Sequence, residues 1–415
     1  MTGPSEKPPL DPERFDLPED GVWALHCADG PSPIAGAEAA TVMLGREVRP
    51  WELRIDRDFE GLTARVRRAG AAVLGGRVED VALTGTTSSG LVTIAQSYPW
   101  RPGDIVVTPL GEFPSNVWPW RALAARGVDI VEVPLWDDHR AGAAAESSSP
   151  PSAEADPEGR LLDALDRHPA SRVLTASWVR FQDGLVLDLD RLAEGCRERG
   201  VDFIVDGIQG AGTLPLAADR LAGRGLRAFA TGGHKGLLGV HGAGLLWTAP
   251  SLRERLVPSG SWLSVEDGYD FSRPNTDLDR AWLADGRRLE QGVPNLLGCA
   301  VFAESLELLA DAGVDRIAGH IAVLRGGLLL HIGGSPSWSA DGERLRALDA
   351  AGRLGSVIAV HHHGLGDSGL YALVRRGRRR GLFTSVREGY LRIALHGYHH
   401  DADVDRLVDG LISDG

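Results

Sequence analysis

The run Phe229-Ala230-Thr231-Gly232-Gly233-His234-Lys235-Gly236 is an apolar, strand-like segment that ends in glycines and a histidine. Its lysine therefore emerges from a buried sheet and not from a solvated helix face. A desolvated lysine titrates low and becomes a nucleophile. Upstream, Val201-Asp202-Phe203-Ile204-Val205-Asp206-Gly207-Ile208-Gln209 reads as a second buried strand, with a carboxylate at its C-terminal end and an amide just beyond.

Taken singly, Lys235 is a surface lysine in a glycine turn and Asp206 a helix N-cap. Taken together at neighbouring strand ends, they are what pyridoxal 5'-phosphate needs. Its aldehyde condenses with an amine to a Schiff base, and a carboxylate facing the ring nitrogen keeps that nitrogen protonated. Thr86, Thr87 and Ser88 open a helix directly after a strand. Such a turn suits a phosphate, although Ser and Thr are also the commonest N-caps.

The elements that must position these groups follow from periodicity. After a loose N-terminal arm, residues 1–20, helical spacing runs from about Arg57 to Leu74 and a short strand spans Val78–Leu83. Strand-like runs recur at Ile105–Pro109, Val128–Val133, Val173–Ala176, Val201–Val205, Ala228–Thr231 and Gly244–Thr248, with helical patterns between most of them, such as Leu185–Arg199. This alternation predicts an α/β fold with a largely parallel sheet covered on both faces, whose ligands sit beyond the carboxyl ends of the strands. The stretch Asp137–Gly159, rich in Ala, Ser, Pro and Glu, reads as a mobile surface insertion. Near Asn295 the pattern changes to a long helix, Leu297–Ala312, then to mixed elements ending in Val404–Ile412. A large domain, residues 21–294, and a smaller one, 295–415, are expected.

At 415 residues the chain exceeds one ordinary core, and a net charge of −13 argues against nonspecific nucleic-acid binding. The basic run Arg375, Arg376, Arg378, Arg379, Arg380 is expected at an exposed helix end or loop. Cys27, Cys196 and Cys299 are widely spaced, which suits a reducing compartment and neither a disulfide framework nor a zinc motif. A polar N-terminus and the lack of a long uninterrupted apolar stretch point to a cytoplasmic protein with no membrane partner. No metal site is expected. Adjacent histidines of His361-His362-His363 on a strand would point to alternate faces, which leaves them as candidates for a substrate-facing or proton-relay role.

With Val205-Asp206-Gly207-Ile208-Gln209-Gly210, Gly233-His234-Lys235, Gly111-Glu112-Phe113-Pro114-Ser115-Asn116, Glu290-Gln291-Gly292-Val293-Pro294-Asn295 and Val386-Arg387-Glu388-Gly389-Tyr390-Leu391-Arg392-Ile393, the chain resembles the class V aminotransferase family over about residues 22–411. These are fold-type I pyridoxal phosphate enzymes that include cysteine desulfurases, isopenicillin-N epimerase-like proteins, kynureninases and C–S lyases. The resemblance implies a mostly parallel seven-stranded sheet, a smaller α+β C-terminal domain and a homodimer. It implies that Lys235 carries the cofactor and acts as base, Asp206 pairs with the pyridine nitrogen and Gln209 meets the ring hydroxyl. His234 would lie beside the phosphate with Thr86 or Thr87, and Arg392 would grip the substrate carboxylate.

Several positions depart from the family pattern. Phe113 replaces a ring-stacking histidine and carries no proton. Gly232 replaces a phosphate-binding serine, for which Thr231 is expected to substitute, and Val293 replaces a threonine whose hydroxyl reaches the partner subunit's phosphate, a contact then lost or made by Asn295, which is also a substrate-binding candidate. Trp178 replaces an asparagine and, with Phe113 and Trp118, suggests a bulky or apolar substrate. Between Asn295 and Arg392 the only cysteine is Cys299, far from the loop where desulfurases keep their nucleophile. The expected activity is a lyase acting by β-elimination on a cysteine S-conjugate. Alternatives are an aminotransferase on a small amino acid, an epimerase or decarboxylating deaminase, and a non-catalytic binding protein of the same fold.

Overall fold

The computed structural model describes residues 7–137, 150–274, 276–362 and 364–413. The strands among them are, in chain order, β1 Val22–Trp23, β2 Val81–Thr84, β3 Ile105–Pro109, β4 Asp129–Val133, β5 Ser171–Ser177, β6 Asp202–Asp206, β7 Leu226–Gly232, β8 Gly244–Thr248, β9 Val357–His361, β10 Leu382–Phe383, β11 Ser385–Arg387 and β12 Tyr390–Ala394. Seven form one sheet in the order β2-β8-β7-β6-β5-β3-β4. All its pairings are parallel except those of β8, which runs against both β2 and β7.

Both faces of this sheet are covered, which is why β6 and β8 are apolar and buried throughout most of their length. On one face Leu91, Ile94 and Trp120 pack over Val106, Ile204 and Ala228. On the other, Leu192, Phe203, Phe229, Trp247 and Phe302 share a core that runs on into the C-terminal part of the chain. Register aligns the strand ends, with Asp206 of β6 beside Ser177 of β5 and Ala230 of β7.

The C-terminal part carries an antiparallel sheet, β11-β12-β9, in which Arg392 lies opposite Ser385 and Ala359. The helix Val314–Gly334 has 21 residues and is long and apolar enough to cross a membrane by length and composition. Its stripe of Ile317, Ile321, Leu324, Leu328 and Ile332 is instead buried in the protein core.

Four expectations change. The N-terminal arm is docked from Leu10 onward, because Leu10 and Phe15 are buried apolar side chains. Leu10 N donates to Gly397 O at 3.0 Å and the Phe15 ring lies 5.3 Å from that of Tyr398. β1 pairs with β10 and Ala394 N donates to Ala24 O, so residues 22–24 join the C-terminal part and not the large sheet. Residues 78–80 form a 3₁₀ turn and the strand starts only at Val81. Of the expected insertion, residues 138–149 lie outside the described residues, but its end is ordered. Asp156 caps the helix Pro157–Arg167 by accepting from Gly159 N at 3.0 Å, a proline fits the first turn, and Leu161 and Leu165 are buried.

Candidate active site

β6 ends on Asp206, and only glycine fits the next position, since a Cβ on Gly207 would lie 1.8 Å from the Phe229 ring. The chain turns there and Ile208 N donates to Asp206 Oδ1 at 3.0 Å. The carboxyl is buried. Burial, reinforced by the nearby Glu112, pushes its pKa up to about 7.

β7 ends at Gly232 and delivers Lys235 beside that turn. Residues 29–30 lie directly on the lysine's backbone: Gly30 N donates to His234 O at 2.7 Å, and a Cβ on Gly30 would meet Lys235 O at 2.2 Å. Among the described residues no hydrogen-bond acceptor engages the ammonium, which lies 5.9 Å from the centroid of the Phe113 ring. Burial lowers its pKa, opposed by the charge of Asp206. The amine is thus shifted toward the neutral, nucleophilic form.

Phe113 is 43% exposed and meets Phe181 edge to face at 5.2 Å. Its loop is anchored by Asn116, whose Oδ1 accepts from Thr175 Oγ1 at 2.6 Å and Trp120 Nε1 at 3.1 Å. Glu112 accepts from Ser177 N at 2.8 Å and from the Ser177 hydroxyl. Sequence reasoning missed the role of Glu112 beneath the site, although the motif contained it. Its burial raises its own pKa.

Arg392 is only 2% exposed. Its Nη1 donates to Phe181 O at 2.6 Å, and Nε and Nη2 donate to Ser385 Oγ at 3.1 and 3.0 Å. Among the described residues no carboxylate engages it, and burial lowers its pKa. Gln209 Nε2 donates to Cys27 O at 3.0 Å, while its Oε1 is buried without a partner among the described residues. Cys27, missed as a neighbour of the site, is also buried; no local pattern in its segment signals it.

At the hydroxyl-rich turn the N-cap interpretation holds. Thr86 caps the helix Thr87–Ser97, its Oγ1 accepting from Ser89 N at 2.9 Å. Thr87 Oγ1 accepts from Gly232 N at 2.8 Å and so ties the turn to β7. His234 presents Nδ1 within 3.2 Å of where a Gly232 Cβ would sit.

Two expected site residues, Thr231 and Trp178, are not brought to these groups, and a third, Asn295, stands apart from Arg392. Thr231 cannot stand in for a side chain at 232, because neighbours on a strand face opposite ways. Ala230, on the same face as Gly232, packs on Gly90 of the helix Thr87–Ser97, whereas Thr231 is fully buried and donates to Gly232 O at 3.0 Å. Trp178 is 6% exposed, packs over Gly210 and meets Phe229 edge-on at 6.0 Å, as a residue of the hydrophobic core. Asn295 caps the helix Leu296–Ala312, accepting from Gly298 N at 3.0 Å, and lines a cavity of about 300 Å³ with Gly85, Ser89 and Val293, on the side of the hydroxyl turn and not of Arg392.

His361 meets Tyr390 at 5.8 Å and His362 Nδ1 accepts from Gly364 N and Leu365 N, while His363 lies outside the described residues. The arginines from Arg375 to Arg380 are exposed at and just beyond the end of the helix Asp367–Arg378.

A half-buried lysine whose ammonium is desolvated, a buried carboxyl with a pKa near 7 and a buried amide oxygen without a partner among the described residues fit pyridoxal 5'-phosphate, and with the sheet they define a fold-type I enzyme dependent on that cofactor. The profile of the aminotransferase class-V family matches residues 55–407, and the chain belongs to that family. A probable cysteine desulfurase of Methanothermobacter thermautotrophicus is 27% identical over 324 residues, 74% of this chain and 72% of the relative. Isopenicillin N epimerase of Streptomyces clavuligerus is 26% identical over 394 residues, 92% of each chain. Among solved structures, the cystine C-S lyase C-DES in complex with cysteine persulfide superposes with a TM-score of 0.78 at 20% identity, covering 95% of this chain and 98% of that one. The cysteine desulfurase CsdA of Escherichia coli gives 0.71 at 22% identity, covering 96% of each. Both likenesses are of fold.

Proposed function

We propose that the protein is a pyridoxal phosphate-dependent lyase that cleaves the Cβ–S bond of a cysteine S-conjugate or cystine. The observation that carries an amino-acid substrate is Arg392, a buried guanidinium that no carboxylate among the described residues neutralises. A substrate carboxylate completes it, and the planar fork fixes the substrate's orientation.

Bound here, the cofactor supplies an aldehyde for the substrate amine and an electron-poor ring that stabilises negative charge at the adjacent carbon. Lys235 would hold the cofactor, and its Nζ would serve as the base for the substrate's Cα proton. Asp206 would keep the ring nitrogen protonated, Gln209 would hydrogen-bond the ring hydroxyl, and Phe113 would supply an aromatic face for the ring. Thr86, Thr87 and His234 sit at the phosphate. The sulfur leaves with the bonding electrons as a thiolate or persulfide. Free entry of that product into solution, without capture by an enzyme thiol, is supported by the burial of all three cysteines. In this reading residues 295–415 form the smaller domain that brings Arg392 to the large one. The same reading takes the enzyme as a cytoplasmic homodimer, supported by the exposed Trp51, Trp262, Phe271 and Trp282.

The test is incubation of the cofactor-loaded protein with cystine and with an S-alkylcysteine. Pyruvate and sulfur product released in equal amounts, and lost in Lys235→Ala, are expected. Conversion of an added keto acid to an amino acid without pyruvate would replace the lyase by an aminotransferase.

A further inference from the structure

Next to the Lys235 backbone three side chains converge that the proposed chemistry does not use together. His241 Nε2 and Asp29 Oδ1 are 2.9 Å apart, the rings of His234 and His241 stack at 4.2 Å with 26° between their planes, and one donor atom from each of the three residues lies within 4.8 Å of the others. The donors come from two separate segments, the N-terminal stretch at Asp29 and the connection between β7 and β8, which Gly30 N and His234 O already join at 2.7 Å. We propose that Asp29, His234 and His241 bind a divalent cation of the zinc class, clamping the N-terminal stretch onto the loop that carries Lys235.

Two imidazoles and one carboxylate are a donor set suited to such an ion, and three protein ligands leave positions for water or an anion. Imidazole binds metals in its neutral form through either ring nitrogen. Because an imidazole has two nitrogens, coordination through one leaves the other for the cofactor phosphate. His241 and Asp29 are both exposed, so an ion reaches them without unfolding, and their substitution leaves the core untouched.

The experiment is isothermal titration of Zn²⁺ into chelator-treated, cofactor-loaded protein and into the near-isosteric variants Asp29→Asn and His241→Gln. Visible absorbance of the bound cofactor and a thermal melt verify that each variant is folded and loaded. One Zn²⁺ per chain is expected for the wild type, with affinity lowered roughly ten- to a hundredfold or more in each variant. Absence of binding to the wild type, or binding that is unchanged in both variants, overturns the proposal. Either result leaves the lyase reading intact, since neither outcome involves turnover.

Discussion

At the scale of single residues the site is built from groups in unfavourable states that a ligand relieves. Arg392 is a buried cation that has, among the described residues, a carbonyl and a hydroxyl for partners. A buried charge without a counter-ion carries a desolvation cost that an apolar side chain of similar size does not, so Arg392→Met is expected to melt no lower than the wild type. Loss of two charge-assisted hydrogen bonds to substrate, each about 1.5–3 kcal/mol, should nonetheless lower kcat/KM by roughly a hundredfold or more. A melt that drops in parallel with kcat/KM would instead mark Arg392 as structural. Asp206, held at about 7 in a buried site, is the corresponding anion. In Asp206→Asn the cofactor is expected still to attach to Lys235, while turnover falls by at least roughly a hundredfold because a neutral amide does not keep the ring nitrogen protonated. Absorbance of the bound cofactor and single-turnover kinetics separate the two effects.

At the scale of elements, the strands and their ends were legible because buried parallel strands read as apolar runs and their functional residues sit just past them. β3, β6, β7 and β8 fall within about two residues of their expected bounds, and Asp206 and the loop bearing Lys235 leave the same edge. Misjudged residues depend on which face or partner an element chooses. Thr231 was within reach, since the two-residue period alone sends it away from Gly232. Trp178 was not, because its packing on Gly210 and Phe229 joins segments distant in sequence. Nor was the docking of residues 22–30 on β10, β12 and Lys235, which no local periodicity encodes. That docking has a direct test in Gly30→Ala. The new methyl would lie 2.2 Å from Lys235 O, a backbone atom that cannot swing aside, so the lysine loop must shift. Overpacking of this kind costs about 1–3 kcal/mol. Cofactor affinity and melting temperature are both expected to fall, and an unchanged cofactor affinity would show that residues 29–30 do not position Lys235.

At the scale of the whole molecule, the N-terminal stretch, the lysine loop and the end of β12 meet on a buried histidine cluster. His396 Nε2 donates to Gly236 O at 2.9 Å, its Nδ1 accepts from Gly397 N at 2.8 Å, and its ring lies 5.1 Å from that of His26. Both nitrogens of His396 are therefore committed in the neutral form, and burial pushes its pKa down to about 3. His26 and His399 are also lowered, chiefly by burial. An unfolded histidine titrates near 6.5, so as pH falls below that value the unfolded chain gains protons that the folded one refuses. The stability these residues contribute is complete above about pH 6.5 and is lost as pH falls toward 3, with His396 alone accounting for about 2 kcal/mol by pH 5. Asp206 acts the other way in the same window, because its raised pKa makes the folded state hold a proton that the unfolded state releases. A comparison that leaves Asp206 intact cancels that contribution. His396→Gln keeps an N–H for Gly236 O and removes the titration. The loss of stability between pH 6.5 and 5, measured by urea unfolding at each pH, is expected to shrink by about 2 kcal/mol in the variant. If the variant follows the wild-type slope, the acid sensitivity lies elsewhere and the cluster is only packing.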